Sequence, residues 1–216
     1  MPEEESRHAI KSLRLGIDSE IMILNGGGSI FYAKIIAIQK RGFLFKIHRE
    51  EKSTKPPPLL HVVISPLKSV DRFEWFIEKA TELGIDSITP IICTHTFKKR
   101  LNYPRLNRIM ISGIKQSGNP FLPKLNPEIK FDDYIEGETN KDKYIAYCES
   151  VEKLSLKSLT FNNDTTILIG PEGDFEQKEL EKAVSHGFKP VSLGSLILRT
   201  ETAAIAFSAN FQLNKT

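Results

Sequence analysis

The run from Thr166 to Phe207, TILIGPEGDFEQKELEKAVSHGFKPVSLGSLILRTETAAIAF, restricts the fold of this chain more than any other stretch. Ile167, Leu168 and Ile169 form a short apolar run stopped at Gly170-Pro171, the pattern of a buried parallel strand. Asp174 with Gln177 three residues later predicts a capping-box-like helix start, and Gly187 stands where a helix C′ residue belongs. Val191, Ser192 and Leu193 predict a second strand, ended by Gly194. Two parallel strands that end side by side in glycine turns make a crevice at their carboxyl ends, where open α/β sheets bind ligands. An ordinary βαβ unit with tight turns has the same pattern.

Upstream, strands and helices alternate from Leu60 onward, which predicts a parallel α/β sheet. Leu60–Ser65 reads as a strand. Ser69 or Asp71 caps a helix carrying Phe73, Phe76, Ile77, Ala80 and Leu83 inward, and Gly84 closes it. Ser87–Ile92 is the next strand. Pro104 opens a helix with Leu106, Ile109, Met110 and Gly113 inward and Gly118 at its end, and Tyr144–Cys148 is another strand. Before Leu60 the pattern differs. From Ser19 to His48 short apolar runs are separated by Asn25-Gly26-Gly27-Gly28 and Lys40-Arg41-Gly42, a hairpin signal that predicts a small antiparallel sheet or partial barrel. The stretch EEKSTKPPP, Glu50–Pro58, predicts a semi-rigid linker between a domain over 1–58 and one over 59–216. Glu3–Leu15 predicts a short helix with Ala9, Ile10 and Leu13 inward and Arg7, Lys11 and Arg14 on the opposite face.

Net charge is only +3 over 216 residues, so contact with nucleic acid rests on local clusters. Arg7, Lys11 and Arg14 form one; Lys98, Lys99, Arg100, Arg105 and Arg108 form the densest, and each reads equally as a solvated basic face. Cys93 and Cys148 are far apart with no metal-ligand spacing, and the five histidines show none either, so no metal is expected. The acidic start MPEEES is no signal peptide, and no apolar run reaches bilayer length, so a soluble, cytoplasmic chain is expected without membrane contact. No GxGxxG follows a strand, and neither GxxxxGK[ST] nor GxSxG occurs. The chemistry is left to the glycine turns. Gly170–Gly173 and Gly194–Leu198 offer main-chain groups and aliphatic side chains without the cation density a triphosphate needs, which suits an adenosyl group free of phosphates.

The runs IGPEGDF and GFKPVSLGSLILRTETAA strongly resemble the ribosomal RNA uridine N3-methyltransferases of the RsmE type, in the SPOUT superfamily of knotted S-adenosylmethionine enzymes. RHAIKSLRLGIDSEIMILNGGGSIFYAKI resembles that family's PUA-like barrel. KSVDRFEWFIEKATELGIDSITPI and IKQSGNPFLPKL resemble two further segments, so nearly the whole chain is covered in order. The resemblance implies an α/β trefoil-knot domain with a parallel sheet behind a PUA-like β-barrel. It implies a homodimer, with S-adenosyl-L-methionine as methyl donor and small-subunit (16S) rRNA, or the 30S subunit, as partner.

Carried over by position, Ile169, Gly170, Pro171, Glu172 and Gly173 form one donor-binding loop. Ser192, Leu193, Gly194, Ile197, Leu198 and Arg199 form the other. Thr202 and Ala203 lie beneath, and Tyr147 and Cys148 close the side. Arg199 is the candidate to stabilise a uridine anion. Glu201 and Glu172 are candidates for a base or for orienting the loops, Glu201 equally as a carboxylate at the start of the last helix. The same residues also fit a knotted methyltransferase acting on another RNA, or an RNA-binding ribosome-assembly protein.

Three departures from the family pattern stand out. Asp174 replaces the last glycine of GPEGG and is expected to serve as an N-cap. Lys115 and Asn119 stand where Glu and Arg are usual. The family also has a strand ahead of the equivalent of Pro2, so a less complete barrel, or a different start, is expected here.

Overall fold

The computed structural model describes residues 6, 10, 13–40, 42–97, 100–148 and 152–215. The chain divides into two compact units, residues 1–55 with 118–121 and residues 56–117 with 122–216.

In the first unit, β1 (Glu20–Leu24), β2 (Ser29–Gln39) and β3 (Gly42–Lys52) form a three-stranded antiparallel sheet in that order. Strand β3 runs through Glu50–Lys52, so pairing with β2 continues into residues the sequence assigns to the linker. In the β1–β2 turn Asn25 Oδ1 accepts from Gly27 N at 2.8 Å and Ser29 N at 3.0 Å, an Asx-type turn. Gly28 follows at φ +98°, where a Cβ would stand 2.5 Å from the Ser53 carbonyl oxygen, so only glycine fits. The helix expected over Glu3–Leu15 falls mostly outside the described residues. Its end is corrected: Arg14 has φ +54°, which breaks a helix, and Leu13 is exposed rather than inward.

The second unit is an eight-stranded parallel sheet in the order β6-β5-β4-β10-β8-β11-β9, with β7 also on β5. Its central strands are β4 (Leu60–Ile64), β5 (Ser87–Ile92), β8 (Asp142–Ala146), β10 (Thr165–Ile169) and β11 (Lys189–Ser192); β6 (Lys124–Leu125), β7 (Ile129–Lys130) and β9 (Leu154–Ser155) are two-residue pieces at the sides. All five residues of β10 are buried, as a strand covered on both faces requires. Helices α1 (Val70–Glu82), α2 (Tyr103–Ser117), α3 (Phe131–Gly137), α4 (Gln177–Ser185) and α5 (Thr200–Asn214) cover the sheet. Ser69 caps α1, accepting from Arg72 N, and Gly84 follows the C-cap at φ +77°. Gly118 and Gly187, both at positive φ, end α2 and α4 as expected.

The main core packs Phe161 against Tyr144 and against Phe207 and Phe211 of α5, with ring centroids 4.9–6.1 Å apart. Each such buried ring contributes about 1.5–3 kcal/mol. Helix α3, whose Phe131, Tyr134 and Ile135 belong to a second cluster with Phe175 and Phe188, has no counterpart in the sequence reading.

The topology carries an uncommon crossing. Strand β11 lies between β8 and β9, pairing Val191 with Ala146 on one side and with Leu154 on the other. A strand that comes some forty residues after β8 therefore stands between β8 and β9 in the sheet. Consecutive strands of α/β sheets more often lie side by side.

Candidate active site

The carboxyl ends of β8, β10 and β11 open onto a cavity of about 510 Å3. Residues 169–172 with Asp174 form one wall, and the loop from Val191 to Thr200 forms the opposite one. Ala146, Tyr147, Cys148 and Lys153 close the side, with Ala203 of α5 beneath. The sequence-predicted donor residues converge here apart from Gly173 and Thr202, which do not face the cavity. Gly173 turns its carbonyl to His95 Nδ1 at 3.1 Å instead.

Gly170 is held by packing. A Cβ there would stand 3.0 Å from the Phe175 ring and 3.3 Å from the Phe175 nitrogen, so the loop folds back tightly onto its own continuation. Asp174 does not cap α4, as the sequence suggests. The helix starts at Gln177, with Glu176 and Glu179 in a reciprocal capping box. Asp174 instead has φ +60°, the left-handed region where glycine is unstrained and Asp is among the few tolerated alternatives. That explains why the resembling family uses glycine. Here the carboxylate gains two contacts, accepting from Phe175 N at 2.8 Å and from Cys148 N at 3.0 Å, so it ties the two sides of the cavity together. Asp174→Gly, which trades these contacts for relief of strain, is expected to change stability by less than about 1 kcal/mol. Asp174→Ala keeps the strain and loses the contacts, and is expected to cost about 2 kcal/mol. Urea denaturation of both variants reads the difference; equal losses would contradict the account.

The most strongly bonded charge in the site is Arg72 of α1, which the sequence reading did not single out. Its Nε and Nη2 donate to both carboxylate oxygens of Glu201 at 2.7 and 2.6 Å, and Nη1 lies 3.8 Å from Glu172 Oε1. Glu201 is only 6% exposed. Burial opposes its charge, but the Arg72 guanidinium and the first-turn N–H of α5 outweigh it and hold the carboxyl below its usual range. Such a carboxylate is a weak base, and its position joins α1 to the start of α5. Glu172 faces the cavity and accepts from Lys68 N at 3.2 Å. Arg199 precedes α5 as its N-cap, its carbonyl accepting from Ala203 N at 2.8 Å, and its side chain is part of the cavity wall. Burial, then the Asp174 carboxylate, raises the Cys148 thiol above its usual range, so Cys148 is no nucleophile at neutral pH.

These walls fit a phosphate-free adenosyl donor. Leu193, Leu198 and Ala203 offer apolar surface continuous with the core, the loops supply backbone, and of the three lining cations Arg72 is bonded to Glu201 and Lys153 to the Tyr147 and Cys148 carbonyls. Among the described residues no group of His, Cys, Asp and Glu is arranged to hold a metal ion, and no helix is long and apolar enough to cross a membrane.

Of the basic residues singled out in sequence, Arg7, Lys11, Lys98 and Lys99 lie outside the described residues. Arg14 and Arg100 are exposed. Arg105 is engaged by both oxygens of Glu74, and Arg108 shares its hollow with Asp71, Glu74 and Glu78, so the basic character around α2 is partly offset by α1. Helix-to-helix pairing of this kind is invisible in the order of the residues.

Two family models match the chain, an RNA methyltransferase domain over residues 54–212 and an RNA methyltransferase PUA domain over residues 2–47. The chain is 34% identical over 212 residues to the ribosomal RNA small subunit methyltransferase E of Buchnera aphidicola subsp. Acyrthosiphon pisum, covering 94% of this chain and 83% of that one. It is 33% identical over 210 residues to the protein of the same name in Rickettsia conorii, covering 95% and 86%. A crystal structure of ribosomal RNA small subunit methyltransferase E from Neisseria gonorrhoeae, bound to S-adenosyl methionine, superposes with a TM-score of 0.88 at 27% identity over 99% of this chain and 90% of that one. The matches run over both the antiparallel N-terminal unit and the parallel-sheet unit that carries the cavity: this protein belongs to the RNA methyltransferase family whose members are named ribosomal RNA small subunit methyltransferase E.

Proposed function

We propose that this chain transfers a methyl group from S-adenosyl-L-methionine to N3 of one uridine in the decoding region of small-subunit rRNA, as a cytoplasmic homodimer. Residues 1–58 would serve RNA binding and residues 59–216 would carry the reaction. The observation that supports this most is the cavity itself: two loops, one tied to the start of the last helix through Arg72 and to the side wall at Cys148 through Asp174, frame a phosphate-free site in a chain whose relatives carry that enzyme name.

When bound, the donor supplies an electrophilic methyl group on a sulfonium. The chain's own residues do the rest. Backbone and aliphatic side chains of Ile169–Glu172 and Ser192–Leu198 hold the adenosyl part, with Tyr147, Cys148 and Ala203 around it. Uracil N3 bears a proton and lies on the pairing edge, so the base must be unpaired and must lose that proton. Glu172, at the cavity wall, would accept it. Arg199 would stabilise the charge that spreads onto the uracil oxygens. Glu201, locked to Arg72, positions α5 rather than exchanging protons. Arg14 and Arg100, with Arg7, Lys11, Lys98, Lys99, Arg105 and Arg108, would contact RNA phosphates.

Small subunits from cells lacking the modification, incubated with the protein and the donor, should acquire a primer-extension stop at the decoding-region uridine. Absence of the stop despite donor binding by calorimetry would remove the reading. Arg199→Ala is expected to slow transfer about 10²-fold with donor affinity retained; normal turnover would remove Arg199 from the mechanism. Sedimentation of the purified chain tests the dimer.

A further inference from the structure

Next to the donor cavity, and sharing Arg72 and Glu172 with it, is a second hollow of about 540 Å3 whose other walls are Lys68, Ser69, His95 and Phe97. Its volume falls within the roughly 300–1,000 Å3 of small-molecule sites. Phe97 is 49% exposed, and the Lys68 ammonium lies 5.6 Å from the centre of its ring. The remaining walls are fixed. His95 Nδ1 lies 3.1 Å from the carbonyl oxygens of both Gly173 and Asp174, so Nδ1 must carry the proton, and the imidazole is pinned to the loop that also holds Glu172. Nε2 of the same ring is 3.7 Å from Glu176. Glu172 in turn accepts from Lys68 N at 3.2 Å.

A half-exposed ring with an ammonium over one face, in a hollow that a guanidinium also lines, is the combination with which proteins hold an unstacked nucleotide: the free face stacks on the base and the cation takes the phosphate. The edge groups also discriminate. Uracil presents N3–H, a donor suited to the Glu172 carboxylate, beside carbonyl oxygens suited to Arg72. Cytosine presents an unprotonated N3, an acceptor that would oppose that carboxylate.

We propose that this hollow is the acceptor-base subsite: one extruded uridine stacks on Phe97, its phosphate meets Lys68, and its pairing edge faces Arg72 and Glu172, the wall shared with the donor cavity. The assignment rests on the uridine-methylation reading for the identity of the base, but on the hollow alone for the place where a base binds.

A small-subunit RNA fragment carrying 5-iodouridine at the target position tests it. Irradiated with the native protein, the fragment should cross-link to the peptide containing Phe97. Phe97→Ala should lower the cross-link yield at least tenfold and weaken fragment binding, read by fluorescence anisotropy, on the order of 10-fold. Phe97→Tyr should retain both, and the affinity of Phe97→Ala for S-adenosylmethionine should stay within about twofold of native. A cross-link confined to other peptides, no cross-link, or an unchanged yield in Phe97→Ala overturns the subsite. The two readings fail separately. Methylation with a cross-link elsewhere sinks only the subsite, whereas a Phe97 cross-link without methyl transfer sinks only the reaction.

Discussion

Arg72→Ala is expected to destabilise the larger unit by about 3 kcal/mol and to lower methyl transfer more than 10²-fold. The guanidinium makes a two-point bond to Glu201, whose side chain is only 7% exposed, and faces Glu172 on the opposite loop. Removing one partner of a buried pair leaves the other charged and desolvated, which costs roughly 3–5 kcal/mol. The Arg72 side chain is 31% exposed, so water reaches part of the vacated space and the lower end of that range applies. Activity falls further because Arg72 sets the distance between the loop holding Glu172 and the helix start holding Arg199, and misplacement by about 1 Å can cost 10²-fold. A double variant, Arg72→Met with Glu201→Leu, separates the two effects. An apolar pair of similar volume should restore stability, since buried ion pairs are often replaceable in this way. It should not restore transfer. Recovery of both, or a single variant as stable as native, would contradict the role assigned to Arg72.

Acidification is expected to remove about 3 kcal/mol of stability between pH 6.5 and 4 through one residue far from the cavity. His61 is partly buried near the start of β4, with Nε2 2.7 Å from Thr89 Oγ1 and Nδ1 3.2 Å from the Tyr134 hydroxyl. Tyr134 donates its proton to Glu138, so its oxygen takes the Nδ1–H of His61, and Thr89 donates to Nε2. Asn140 and Thr166 complete the partners of Glu138. Burial, only partly opposed by Glu138 and aided by Lys124, lowers the His61 pKa from 6.5 to about 4.

The folded state therefore binds fewer protons than the unfolded chain across that window. The stabilisation is whole above pH 6.5 and is lost as pH falls through about 4, at 1.36 kcal/mol per pH unit. Glu138 adds to the same trend at lower pH. Burial opposes its charge, but the hydrogen bonds from Tyr134, the Asn140 N–H and Thr166, together with the nearby His61, outweigh it and hold the carboxyl below its ordinary value. Urea midpoints measured from pH 7 to 4 should fall steeply for the native chain and less so for His61→Gln. Equal slopes would show that His61 is not the titrating group.

Much of the sheet was legible because its strands are short apolar runs bounded by glycine or proline, and its helices end at Gly84, Gly118 and Gly187. The glycine turns also placed the two cavity walls, since main-chain groups at strand ends are announced by the residues that permit the turn. Helix α3 was not legible: Phe131–Gly137 is a single short amphipathic piece whose inward side matters only once β7 and α4 lie beside it. Arg72 was hidden in a helix that reads as core packing, and its partner Glu201 lies 129 residues away. Its place within the resembling segment KSVDRFEW was the one signal in the sequence that pointed to it.

Asp174 shows the division most clearly. Residue order identified it as the departure within GPEGD and suggested a helix cap, because Asp followed three positions later by Gln fits that pattern. Only the fold could assign its φ of +60° and its bond to Cys148, for a backbone angle at one residue is set by the elements on either side. What the sequence by itself determined is the succession of elements, the two glycine-turn walls and a family resemblance over nearly the whole chain. What the tertiary structure decided is which charges meet: Arg72 with Glu201, Arg105 with Glu74, His61 with Tyr134. Coulombic and hydrogen-bond energies depend on distances between residues that the chain order leaves far apart, and those distances exist only after the sheet has brought β4, β8, β10 and β11 side by side.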